Sequence, residues 1–309
     1  MRLDDYRSSD NVSDQRGQSF GGGGFGGGGG GMMGLLFGLV LSRFGIGGVL
    51  ILLLGYCALS TFGGGGGLGV GGPGAAVAPH QASRTGGTAQ QACAVDQASA
   101  FSCRVLASTE DTWQRLFAAQ GQTYQPPGFV FYGGTGRSGC GVAQSAMGPF
   151  YCPSDNRIYL DTSFYAELQN RFRAAGDFAQ AYVIAHEVGH HIQNLTGVLA
   201  QARQQQGRLS TREGNAVQVR VELQADCYAG VYAANARDAQ GRPVMEPGDI
   251  EEGLTAAAAI GDDTLQRQTQ GRVSPESFTH GSAAQRQQWL RRGLETGDPA
   301  ACDTLSAAG

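Results

Sequence analysis

Two tracts of nearly pure glycine decide where this chain can fold. Gly21 to Gly24 and Gly26 to Gly31 form the first; Gly63 to Gly67, followed by Gly69, Gly71, Gly72 and Gly74, form the second. Glycine brings no side chain to bury and loses the most backbone freedom on ordering, so such runs act as flexible tethers. They are expected to confine an independent core to the chain beyond about Ala92, where the composition becomes that of a globular domain. That part is roughly 215 residues, long enough for a sizeable core. The expected organisation is a Gly-rich tail over residues 1–31, an apolar segment over 32–62, a Gly/Ala-rich linker over 63–91 and a folded domain over 92–309.

Between the glycine tracts, Phe44 to Phe62 runs for 19 residues without a charge, close to the ~20 that span a bilayer. Arg2, Arg7, Arg16 and Arg43 precede it, and the next basic residue is Arg84. The positive-inside bias therefore predicts a single-span transmembrane helix at the cell membrane, with the N-terminus cytoplasmic and the folded domain periplasmic or extracellular. A cleaved signal peptide ending near Ala76-Val77-Ala78 would need an n-region of 43 residues, far longer than such peptides carry. Six of the seven cysteines lie beyond the span. An even number in an exported domain suggests disulfides; of the fifteen connectivities open to six cysteines, proximity favours Cys93 with Cys103 and Cys140 with Cys152, which leaves Cys227 and Cys302 as a long-range clamp. The net charge of −4, with no basic patch interleaved with aromatics, gives no support for a nucleic-acid partner.

Within the domain, Trp113, Leu116 and Phe117 share one face of a helix expected over Ser108 to Gln120. Short β-like runs follow at Gly128 to Tyr132, Phe150 to Cys152 and Arg157 to Leu160, and helical patterns fill the remainder. Strands first and helices after predict an α+β fold, a small sheet plus segregated helices.

Three of the five histidines fall within His186-Glu187-Val188-Gly189-His190-His191. On a helix, His186 and His190 project from one face with Glu187 beside them. Two neutral imidazoles at that spacing can hold Zn²⁺, and the carboxylate can serve as general base toward a water on the metal's open side. The apolar run from Asp177 to Ala185 supplies the helix, with Asp177 as N-cap and Gly197 as its stop. His191 is turned about 100° from His190 and should face away from the metal. A second helix begins at the capping box Ser210-Thr211-Arg212-Glu213 and carries Glu222 and Asp226 one turn apart. Glu222 lies 32 residues after His190, room for a loop and a returning helix. It is the candidate third metal ligand, and Asp226 the candidate acceptor for the remaining ring N–H of a ligand histidine.

With these residues in view the chain resembles the putative neutral zinc metallopeptidases of bacteria, a family of single-span proteins. The matching stretches are Met1-Arg2-Leu3-Asp4-Asp5, Cys140-Gly141, Gly148 to Pro153, Tyr159-Leu160-Asp161, the histidine motif, Glu222 to Cys227, and Phe278 to Ser282. The resemblance implies a zincin-like metallopeptidase domain with glutamate as third ligand and leaves the natural substrate undefined; one zinc ion and a protein or peptide substrate are the expected cofactor and partner. Glu187 would take the proton of the metal-bound water and pass it to the leaving amine. For the developing oxyanion, His280 is the first candidate donor, with Tyr228 and Tyr232 behind it. The run Gly148 to Tyr151 is a candidate edge strand for pairing with substrate backbone. Two other readings stay open: a non-catalytic tethered binding or assembly domain with a structural zinc, and a zinc hydrolase acting on a non-peptide amide of the cell envelope.

Overall fold

The computed structural model describes residues 1–18 and 87–306. Its sheet has four strands in the order β1 (Val12–Asp14), β2 (Gly128–Phe131), β6 (Arg157–Leu160) and β5 (Phe150–Cys152), the first three parallel and β5 antiparallel on the edge. A separate hairpin pairs β3 (Thr135–Ser138) with β4 (Gly141–Gln144). Because successive side chains alternate across a strand, Phe129, Phe131, Ile158 and Leu160 enter the main core against the helices. Val130, Tyr132 and Tyr159 face the other way, into a smaller cluster with Ala143 of the hairpin and Cys152. Both faces of β2 and β6 are covered, which explains why these runs read as continuous apolar stretches rather than alternating ones.

The helices are α1 (Ala89–Cys93), α2 (Gln97–Ala119), α3 (Ser163–Asn170), α4 (Asp177–Leu195), α5 (Val198–Gln206), α6 (Thr211–Asn235), α7 (Asp249–Ala259), α8 (Asp262–Gln270) and α9 (Ala283–Thr296). The motif helix α4 is the centre of the core, burying Phe178, Tyr182, Ile184, Val188 and Ile192 among others. Its start differs from expectation. Asp177 is the first helical residue rather than the cap, and the carboxylate of Glu252 on α7 accepts the Phe178 N–H at 3.0 Å in its place. Asp177 is instead turned to the Met1 ammonium, 2.6 Å away. Gly197, at φ 80°, stops the helix as expected. The capping boxes at Ser210 and Ser282 both form. Cys93–Cys103, Cys140–Cys152 and Cys227–Cys302 are the pairs that the structure joins.

The expected localisation needs correction. Among the described residues no helix is long and apolar enough to cross a membrane, and Phe44 to Phe62 lies outside them, as do the remainder of the tail and most of the linker. The fold also opposes the predicted sidedness. Val12, Ser13 and Asp14 pair in register with Phe129, Val130 and Phe131, and Leu3 is buried in the main core. A single crossing between residues 18 and 87 would put β1 and β2 on opposite sides of the bilayer, where they cannot share a sheet. Residues 1–18 are thus a component of the folded domain, not a detached tail, and the single-pass anchor is withdrawn.

Candidate active site

Two helices build the site by approaching unusually closely. A Cβ on Gly189 of α4 would lie 2.9 Å from the Ala225 carbonyl oxygen and 3.0 Å from its Cα on α6. Only glycine permits that contact, and it brings Glu222 and Asp226 up to the histidines. One donor atom each from His186, His190 and Glu222 lie within 4.8 Å of one another. The His186 Nε2 is 3.2 Å and the His190 Nε2 3.5 Å from Glu222 Oε2. Gln218 donates to the other carboxylate oxygen at 2.9 Å.

Each ligand candidate has its other ring nitrogen occupied. His186 Nδ1 meets Asp226 Oδ1 at 2.8 Å, and His190 Nδ1 meets Gln193 Oε1 at 2.8 Å. Both Nε2 atoms are therefore left to converge on the Glu222 oxygen, two imidazoles and one carboxylate. That donor set suits zinc with a coordination position open for water. Placing Glu222, 6 % exposed, among histidines and one glutamine is costly unless positive charge joins it. Burial would raise its pKa, yet His190 and His186 hold it well below the usual carboxylate range. Burial likewise opposes protonation of His190, but Glu222 outweighs it and lifts the pKa to about 9. The site is thus strongly polarised toward binding a cation.

Asp226 is completely buried and carries more than one bond. It accepts from Tyr182 Oη at 2.6 Å, and the Arg286 guanidinium of α9 engages both its oxygens at 2.9 Å. Burial would raise its pKa, but Arg286 and then His186 pull it down to about 2. Arg286 reaches this point because α9 crosses α6 at a glycine pair. A Cβ on Gly293 would lie 2.0 Å from the Cys227 carbonyl oxygen, and one on Gly230 would lie 2.2 Å from that of Leu290.

Glu187 is 7 % exposed on the same turn as His186, near enough that its charge helps raise the pKa of His190. His280 stands beside the triad. The carboxylate of Asp262, first residue of α8, accepts the backbone N–H groups of Thr279, His280 and Gly281 at 2.7, 2.6 and 3.1 Å and lies 3.3 Å from His280 Nδ1. Burial disfavours the imidazolium, but Asp262 and Glu222 together raise the pKa of His280.

Tyr228 and Tyr232, the other oxyanion candidates, are engaged elsewhere: Tyr228 edge-on to Trp113, and Tyr232 donating to Ser108 at 3.1 Å. His191 bonds to the Gln125 carbonyl at 2.6 Å and the Tyr151 hydroxyl at 3.0 Å, pinning α4 to the edge strand β5. Sequence reasoning missed Tyr182, Gln193, Asp262 and Arg286. Tyr182 and Gln193 had a usable signal, lying four residues before His186 and three after His190 on one helix. Asp262 and Arg286 had none, since they approach from separate helices.

A family model described as "Putative neutral zinc metallopeptidase" matches residues 1–305. "Uncharacterized protein YpfJ" of Escherichia coli (strain K12) is 46 % identical over 305 residues, covering 99 % of each chain. "Uncharacterized protein Rv2575" of Mycobacterium tuberculosis (strain ATCC 25618 / H37Rv) is 48 % identical over 217 residues, 67 % of this chain and 71 % of that one. No solved structure matches.

Proposed function

The chain belongs to the putative neutral zinc metallopeptidase family, and on that premise we propose that it hydrolyses peptide bonds at a zinc site held by His186, His190 and Glu222. The observation that carries this reading is the convergence of three ligand atoms within 4.8 Å with a carboxylate on the same helical turn, Glu187, that is bonded to no other side chain among the described residues. When bound, zinc would polarise the scissile carbonyl and lower the pKa of a coordinated water toward neutrality. Glu187, on the same turn as His186, would serve as the proton carrier, accepting a proton from water and delivering it to the leaving amine. His280, steadied by Asp262, offers its remaining ring nitrogen as a hydrogen-bond donor to the developing oxyanion. Asp226 keeps His186 in the tautomer whose Nε2 carries the lone pair, and Arg286 offsets the carboxylate's charge. The edge strand β5, tied to α4 through Tyr151 and His191, offers unpaired backbone for a substrate segment.

A purely structural zinc is less well supported, because structural sites are closed by four protein ligands. The described residues bring only three groups together here. The deciding experiment measures zinc content and turnover of a mixed peptide library for the full chain and for Glu187→Gln. Retained zinc with turnover reduced roughly 10²- to 10⁴-fold is expected for loss of a general base. Equal turnover by the two forms would remove the mechanism.

A further inference from the structure

Gln193 and Gln224 are buried amides, 0 % and 4 % exposed, that the peptidase reading leaves without a role. We propose that they are positioning residues that hold His190 as its Nδ1–H tautomer, in a direction set by the backbone carbonyl of Cys302. This rests on the reading of His190 as a metal ligand.

A primary amide can sit either way round, and only its partners decide which end is oxygen. The Cys302 carbonyl can only accept, and it lies 3.0 Å from Gln224 Nε2. The oxygen end of Gln224 must then face Gln193, whose Nε2 lies 3.0 Å away. That same Nε2 is 2.7 Å from the Val221 carbonyl, a second partner that can only accept. Both donors of Gln193 are thereby committed to acceptors, and its oxygen is turned to His190 Nδ1 at 2.8 Å. An amide oxygen accepts, so Nδ1 carries the proton and Nε2 keeps its lone pair for the metal. The starting carbonyl is itself anchored, because Cys302 is bonded to Cys227 on α6, five residues beyond Glu222.

The two ligand histidines are thus oriented by different chemistry. His186 has an anion, Asp226, neutralised by Arg286. His190 has a neutral amide. A carboxylate at position 193 would add negative charge beside Glu222 and Glu187, and it would face the Val221 and Gln224 oxygens without a proton to offer either. The chain of bonds therefore supplies direction without charge.

The test uses the full-length protein with ¹⁵N-labelled histidine. Long-range ¹H–¹⁵N spectra of the zinc-loaded protein assign which His190 nitrogen holds the proton, and chelator competition gives zinc affinity for wild type, Gln193→Leu and Gln193→Glu. The expected result is a proton on Nδ1, with zinc binding roughly 10- to 100-fold weaker in Gln193→Leu and not restored in Gln193→Glu. A proton on Nε2, or Gln193→Glu binding zinc as tightly as wild type, would overturn the proposal. Should either variant fail to fold, the wild-type spectrum still decides. A His190 ring that zinc leaves unmoved would sink the metal reading instead, and it would do so whether or not Nδ1 holds a proton.

Discussion

Arg286 and Asp226 form a two-oxygen ion pair beside the candidate metal ligands, and both are almost completely inaccessible, at 2 % and 0 % exposure. Removing one member strands the other's charge in a low-dielectric interior, which costs about 3–5 kcal/mol. Arg286→Leu should therefore lower the unfolding free energy by about that much, and adding Asp226→Asn should recover part of it. Denaturant unfolding of the single and double variants checks this, and strict additivity would show the pair to be uncoupled. Proton competition at His190 is the second consequence at this scale. Its pKa of about 9 in the metal-free fold lies above the ordinary 6.5. The stabilisation from that shift is complete below about pH 6.5 and is lost as pH rises through about 9. Zinc runs the other way, since it needs the neutral ring. Apparent zinc affinity should climb with pH and level off above about 9, whereas a flat profile between pH 6 and 9 would contradict the ligand assignment.

Helix α4 was legible as an element because its apolar run, histidine spacing and terminal Gly197 agree with one another. Its packing was not. The sequence marks Gly189 only as a poor helix former, about 1 kcal/mol worse than alanine, and on propensity alone Gly189→Ala should stabilise. Contact decides otherwise. With the new Cβ 2.9 Å from the Ala225 carbonyl oxygen, α4 and α6 must separate, and overpacking of this kind costs about 1–3 kcal/mol. The expected outcome is a net loss of stability together with weaker zinc binding, measured by thermal unfolding and chelator competition. A more stable variant with unchanged zinc affinity would mean that the close approach is unimportant. Strands β5 and β6 were readable at their bounds, and β2 nearly so. Strands β1, β3 and β4 were not, because three or four polar or glycine-rich residues carry no periodicity to detect.

For the molecule as a whole, the largest departure from expectation is the part played by residues 1–18. Strand β1 covers the edge of β2, Leu3 enters the core, and Arg16 lies over the Phe131 ring at 4.6 Å while donating to the Ala92 carbonyl. Deleting residues 1–18 bares a sheet edge and an apolar patch together. A chain lacking residues 1–18 should melt at least several degrees lower than the full chain or aggregate. Thermal unfolding and light scattering measure the difference, and equal melting temperatures would show that this segment contributes nothing to the fold. The reading of the first residues as a tail failed for an identifiable reason. Compositional reasoning assigns a segment to the nearest long stretch of its own kind, and here more than a hundred residues separate the partner strands, Val12 pairing with Phe129.

Spacing along short stretches of chain was enough for the helix that carries the candidate histidines, the general-base candidate and the two local cysteine pairs, Cys93–Cys103 and Cys140–Cys152, and the order of the patterns was enough for the α+β class. The sequence also nominated Glu222 and Asp226, through one-turn spacing and a capping box. Contacts in the folded chain decided which charge balances Asp226, which way round the amide beside His190 sits, which carboxylate steadies His280, and that the first residues join the sheet and the core. Those are contacts between segments from eighteen to more than a hundred residues apart in chain order, or choices of hydrogen-bond direction. No local pattern encodes them, since they exist only once helices close to within a glycine's width of one another.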